Sequence, residues 1–150
     1  MHIYNRNMID DIFNALEVAK KAHDLLPPLP PNIKPVHFRI LSTINSICDD
    51  AGNSRVTDIN KALDFLLPNT TKFINELVKL KVVEKFTSTI DKRVVLVHAT
   101  KLGKQYIDSY IIKYQELLHQ EFSTLDESDC RAMIETIHKV YGAIKKVYQK

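Results

Sequence analysis

The sequence predicts a mainly α-helical fold with one small β-hairpin: a winged helix-turn-helix flanked by helical N- and C-terminal segments. Three observations carry that expectation. Two short amphipathic stretches, starting near Thr57 and at Pro68, are separated by a tight turn; β-branched residues then displace helical periodicity between Lys81 and Thr100; and long apolar stripes of helical period occupy both ends of the chain.

The elements follow in order. Met8, Ile12, Ala15, Leu16, Ala19 and Leu26 recur at helical spacing, which predicts an amphipathic helix over residues 8–26. LPPLPP ends it, because Pro27, Pro28, Pro30 and Pro31 cannot continue a helix, and the run reads as a stiff connector between two helices. A second helix opens near Pro35 and runs through Phe38, Ile40, Leu41, Ile44 and Ile47. DDAGN, residues 49–53, is a loop by composition. Thr57 then suits an N-cap with Asp58 in the first turn, opening a short helix through Ile59, Ala62, Leu63 and Leu66. Pro68 suits the start of the next helix, expected to run to Lys81 with Phe73, Ile74, Leu77, Val78 and Leu80 as its buried stripe.

After Lys81 the period changes to that of strands. VVEKFTST and RVVLVHA read as two antiparallel strands joined at Ile90, Asp91 and Lys92, a hairpin that forms the wing. Thr100 is placed to cap the following helix, whose stripe is Ile107, Tyr110, Ile111, Tyr114, Leu117 and Leu118. STLDESD is a loop and a cap, and a last helix carries Met133, Ile134, Ile137, Val140, Tyr141, Ile144 and Val147. The expected organisation is an N-terminal helix and proline linker over 1–34, a winged lobe over 35–100 and C-terminal helices over 101–150. The terminal stripes have no further domain to cover them, so they are expected to pack on each other and on a second copy, giving a homodimer.

Composition narrows the function. The chain of 150 residues has a formal charge of +3, yet between Asn53 and Lys104 ten Lys or Arg face only five Asp or Glu. A basic middle points to an anionic partner without saying which. Cys48 and Cys130 match no metal or redox spacing, and Cys48, closing an apolar stripe, reads as a buried structural residue. His2, His23, His37, His98, His119 and His138 show no ligand spacing, so no metal residue is assigned. No Gly-rich phosphate loop, nucleophile elbow or carboxylate pair is present; an enzyme is the least supported class, no catalytic residue is assigned, and no cofactor is expected. The N-terminus lacks an export signal's apolar core, and no apolar run is long enough to span a membrane, so the expected location is the cytoplasm.

At the wing the sequence resembles a known family. "DKRVVLVHATKLG" resembles the wing of the MarR family of bacterial winged-helix regulators: Asp91, Arg93, Thr100 and Gly103 match the family's Asp-x-Arg, apolar strand and Thr-x-x-Gly close, while Ala99 stands where Leu is frequent. "INELVKLKVVEK" is similar to the end of the family's recognition helix and its first wing strand. The likeness covers nearly the whole chain. It departs at Leu66 and Leu67, where the family often has a Ser cap, at Asp64, where Gly is frequent, and at Lys81, which replaces a common helix-ending Gly.

The resemblance implies a regulator of transcription, a repressor that binds palindromic operator duplex DNA as a homodimer and is released by a small aromatic effector held between the winged lobe and the terminal helices. It implies a recognition helix opening at Pro68 whose Asn69, Thr70, Lys72 and Asn75 face the major groove, with Thr71 on phosphate. Arg93 would reach the minor groove or its phosphates, Asp91 would orient the wing, and Lys92 would lie beside them at the tip. The chemistry agrees: Asn can read adenine, Lys can donate to guanine or phosphate, and Thr hydroxyls suit phosphate oxygens. Glu76 would repel phosphate in the groove, and so should face aside. The competing expectation is a winged-helix protein-interaction module whose hairpin binds another protein.

Overall fold

The computed structural model describes residues 6–149 of the chain; His2 lies outside them. The element order is α1 (Arg6–Asp24), α2 (Pro35–Ile47), β1 (Ser54–Arg55), α3 (Val56–Leu63), α4 (Leu67–Lys79), β2 (Val83–Thr87), β3 (Val95–Ala99), α5 (Lys101–Tyr106), a π-helical stretch (Ile107–Ile112), α6 (Lys113–Phe122) and α7 (Glu127–Tyr148). This is the predicted class: helices around one small hairpin.

α1 stops at Asp24, two residues before the sequence predicts, because Leu26 precedes Pro27 and proline disfavours helical geometry in the residue before it. The connector is anchored rather than free. Pro30 and Ile33 are buried, and Leu29 packs on the core.

α2, α3 and α4 build the core of the winged lobe. Ile40, Leu41 and Ile44 of α2, Ile59 of α3, and Ile74 and Leu77 of α4 are all buried and close on Val82, Val83 and Val97 of the wing base. α3 opens two residues earlier than Thr57 implies, with Arg55 as N-cap residue, so Thr57 sits inside the helix and caps nothing. Asp64 closes α3 in the left-handed region (φ 54°).

α4 ends in two interlocked backbone hydrogen bonds, Val82 N–H to Leu77 O and Lys81 N–H to Val78 O, both 3.0 Å. That pairing requires a left-handed residue between them, and Lys81 supplies it at φ 60°. Asp64 and Lys81 therefore occupy the positions where glycine would be expected for a physical reason.

The hairpin pairs Val83 with Ala99 through Thr87 with Val95, and Ser88 N–H to Val94 O (2.8 Å) extends it by one rung. A third strand escaped the sequence reading. Ser54 and Arg55, placed next to a loop by composition, pair with Val97 and Leu96, so the sheet order is β1-β3-β2.

Thr100 caps α5 as expected, accepting the Gly103 N–H at 3.1 Å while its own hydroxyl donates to the Lys81 and Val82 carbonyls. Gly103 is there because a Cβ would lie 2.0 Å from Val82 O. The Thr-x-x-Gly close thus clamps α5 onto the start of β2.

The chain divides into two compact units, the first ending at Ile112 and the second beginning at Lys113. Ile107 and Ile111 are buried in the core of the first unit, so the division falls later than the expected one at 100/101. In the second unit Asp126 caps α7 by accepting the Asp129 N–H (3.1 Å), and neither α6 nor α7 has a buried residue. Among the described residues no helix is long and apolar enough to cross a membrane.

Candidate nucleic-acid interface

α4 presents its N-terminal half to solvent because its apolar stripe, Ile74 and Leu77 with Phe73 beside them, faces α2 and α3. Pro68, Asn69, Lys72 and Asn75 lie on the exposed side, and Thr71 is half-buried at its edge. Thr70 is corrected. It is fully buried, and its hydroxyl donates to Asn60 Oδ1 at 2.6 Å, so it ties α4 to α3 and faces no solvent. The signal was in the sequence: Thr70 stands four residues before Ile74 and seven before Leu77, on the buried stripe.

Asn75 accepts a hydrogen bond from Lys85 Nζ at 2.6 Å, which brings a cation from β2 onto the face of α4. Sequence reasoning did not single out Lys85, because its place depends on strand register against α4.

Glu76 does face aside. Its Oε2 lies 2.6 Å from His37 Nε2 and 3.8 Å from Lys34 Nζ. His37 is fully buried and accepts the Lys34 backbone N–H on Nδ1 at 3.1 Å. With Nδ1 accepting, the ring proton sits on Nε2, which donates to the carboxylate. This hydrogen bond, with the Lys34 and Lys72 charges nearby, holds the Glu76 carboxyl below its usual range. The one acid in the middle of α4 is thereby spent on fixing the helix to α2, and Phe73 packs edge-on against the same imidazole, 6.3 Å between centroids.

At the wing tip Arg93 grips Asp91 with two side-chain bonds, Nε to Oδ1 and an Nη to Oδ2, both 3.1 Å, while its backbone N–H also donates to Oδ1 at 3.0 Å. Those bonds lower the Asp91 pKa from its ordinary value. The Arg93 side chain is 90% exposed even so, since the pair holds the guanidinium stem and leaves its outer edge in water. Lys92 is exposed beside it. Ser88 Oγ accepts the Ile90 N–H at 3.2 Å, so the tip is an ordered turn.

A cleft of about 340 Å³ runs between α4 and the wing, lined by Thr57, Leu67, Thr71, Lys85, Arg93 and Val95 among others. The structure thus brings Thr71 and Arg93 to one groove, with Asn75 tied to its Lys85. A second cleft of about 560 Å³ lies on another side of the first unit, lined by Ile44, Cys48, His98, Lys101, Lys104, Ile107 and Ile112 among others. Cys48 is half-buried there rather than buried as expected. His98 Nε2 and Glu84 Oε2, 2.8 Å apart, stand at its wall. Among the described residues no cluster of His, Cys, Asp and Glu is arranged to hold a metal.

No family model matches the chain. Two curated relatives from Bacillus subtilis, the uncharacterised HTH-type transcriptional regulators YsmB and YpoP, are 23% and 22% identical over 97 and 98 residues. These alignments span 65% of this chain and 66% and 70% of the relatives' own lengths. Among solved structures, a mutant of MarR from E. coli complexed with operator DNA is 24% identical over 93% of this chain and 99% of its own, with a TM-score of 0.67. FabT from Streptococcus pneumoniae, in complex with DNA, is 19% identical over 94% of this chain and 95% of its own, TM-score 0.63. BpsR from Bordetella bronchiseptica, whose DNA binding is regulated by 6-hydroxynicotinic acid, is 18% identical over 87% of this chain and 98% of its own, TM-score 0.63. The fold is that of the MarR-type winged-helix regulators.

Proposed function

We propose that this chain, built on the MarR-type fold, is a transcription regulator that binds a near-palindromic operator duplex as a homodimer in the bacterial cytoplasm. The observation that carries the reading is the composition of one face: Asn69, Lys72 and Asn75 exposed on α4, Arg93 held out at the wing tip, and the intervening acid, Glu76, withdrawn onto His37.

The parts divide the work. Lys72, Lys85, Lys92 and Arg93 neutralise phosphate and supply affinity that falls with salt, while Asn69 and Asn75 read base edges. Asn75 needs both its amide oxygen and nitrogen to read adenine, so Lys85 leaves Oδ1 for a phosphate when the duplex arrives. Arg93 exchanges Asp91 for the minor groove or its phosphates. The pair is worth little at so exposed a position, which keeps the exchange cheap.

The dimer rests on uncovered apolar side chains: Met8, Ile9 and Phe13 on α1, Leu117 and Phe122 on α6, and Met133, Ile134 and Ile137 on α7 are all exposed in the single chain. A two-fold pair would set two recognition helices about one DNA turn apart. We further infer that the protein represses and is released by a small aromatic acid. The larger cleft supports this with an apolar wall of Ile44, Ile107 and Ile112, cations at Lys101 and Lys104, and a volume in the range of ligand pockets.

Selection of duplexes from a random pool, followed by footprinting, tests the reading. A recovered near-palindrome protected by the protein supports it, and recovery of no preferred sequence contradicts it, leaving the protein-interaction module as the better account.

A further inference from the structure

The first turn of α4 carries two side chains that the reading above leaves unused. Leu66 is 74% exposed and Leu67 47%, although every large apolar residue on the inner side of the same helix is packed. The turn between α3 and α4 sends Phe65 inward, against the Phe73 ring at 6.4 Å and beneath Arg39 at 5.2 Å, and the next residue therefore points out. Leu66 is the N-cap residue, yet its side chain can accept nothing; only its backbone carbonyl is used, taking the Asn69 and Thr70 N–H groups at 2.9 and 3.2 Å. Leucine is a poor choice at such a position if capping is the requirement. Its presence asks for another role.

We propose that Leu66 and Leu67 form an apolar front that reads the 5-methyl groups of thymine in the major groove. The proposal rests on the DNA-binding reading of α4. In helix-turn-helix proteins the N-terminal residues of the recognition helix meet the base edges, and Leu66 and Leu67 are the leading residues of α4. Leu67 lines the same cleft as Thr71, Lys85 and Arg93, so the front lies beside groups suited to phosphate. The thymine methyl is the one apolar group on the major-groove edge of the four standard bases. A leucine pressed on guanine or cytosine would desolvate N7, O6 or the N4 amino group and satisfy none of them, which makes the front selective as well as attractive.

The experiment uses the full-length chain and a selected operator in two forms, one with thymine and one with deoxyuridine at the positions facing the start of α4. Burying one methyl against a leucine corresponds to about fourfold in affinity, so replacing the symmetric pair should weaken binding by roughly tenfold or more. Leu66→Ala and Leu67→Ala should each shrink the difference between the two duplexes, and the double variant should abolish it, with no added loss on the uracil duplex. Circular dichroism and thermal melting verify that the variants are folded; Leu66 is exposed enough that its truncation leaves no cavity. Equal affinity for both duplexes, with specific binding intact, overturns the apolar front and leaves the DNA-binding reading standing. A pair of duplexes that both bind only non-specifically overturns that reading and the front with it. A drop in dimer mass on light scattering in Leu66→Ala would assign the pair to a protein contact and also overturn the proposal.

Discussion

Replacing Gly103 with Ala adds one methyl group where α5 meets the base of the wing, and two opposing effects decide its result. In a helix interior alanine is favoured over glycine by about 1 kcal/mol. Against that, the new Cβ would stand 2.0 Å from Val82 O and 3.2 Å from Ala99 Cβ, whereas uncrowded heavy atoms sit at about 3.5 Å or more. The contact atom is backbone, and it cannot retreat freely. Val82 O already accepts Thr100 N–H and Thr100 Oγ1, both at 3.0 Å, and Val83 is paired with Ala99 in the sheet. Overpacking of this kind costs about 1–3 kcal/mol, and a backbone obstacle puts it at the upper end. The net expectation is a loss of about 2 kcal/mol. Urea unfolding followed by circular dichroism measures it as a lowered midpoint with an unchanged slope. Gly142→Ala is the internal control, since nothing lies within 4 Å of its added Cβ and the helix term acts alone, raising stability by about 1 kcal/mol. A Gly103→Ala protein as stable as the parent, or more so, would refute the claim that the Thr-x-x-Gly close is a steric clamp.

Other perturbations probe the interface and its supports. Arg93→Ala should weaken specific DNA binding by about 1–3 kcal/mol and reduce the salt slope by about one, with the dimer intact; unchanged affinity and slope would leave Arg93 a surface ion-pair residue. Asn69→Ala should spare non-specific binding and relax sequence preference at one symmetric pair of positions, whereas Lys72→Ala should lower affinity on all sequences alike; both are read by titration on specific and scrambled duplexes. Lys81→Gly relieves a left-handed lysine at the cost of a more flexible unfolded chain, and should raise the urea midpoint by the equivalent of about 0.5–1 kcal/mol. Glu76→Gln tests the His37 bond through pH. The folded carboxyl is depressed from its ordinary value of 4.5, so its contribution is fully present above that pH and is lost as pH falls through the folded value. The stability gap between parent and variant should be widest near neutrality and close in acid, and a gap independent of pH would contradict the assignment.

The sequence reveals what is periodic and local. α2, α4 and the wing appear within a residue or two of their observed ends, because Ile40, Ile44, Ile74, Leu77, Val83 and Val97 repeat at helix or strand period and are the residues that prove buried. The withdrawal of Glu76 also followed from charge alone. What stayed hidden depends on partners distant in the chain. Ser54 and Arg55 become a strand only because Val97 and Leu96 lie alongside, and Lys85 reaches Asn75 only through the packing of β2 on α4. Thr70 is the intermediate case: its place on the buried stripe was readable, but the family resemblance implied the groove face instead, and only the partner Asn60 on another helix satisfies its hydroxyl in the core. The π-helical widening at Ile107–Ile112 left no mark in an apolar pattern that fits an ordinary α-helix equally well.

Two copies of α4, set by a two-fold axis on one face of a duplex, are the centre of the functional account. The most direct test binds the full-length protein to its selected operator and to the same operator with about five base pairs inserted between the half-sites, which turns one half-site by roughly half a helical turn. The account predicts two chains per duplex on the parent operator, and binding to the expanded one reduced to the level of a scrambled sequence. Equal affinity for the two duplexes, or a complex holding a single chain, would contradict it.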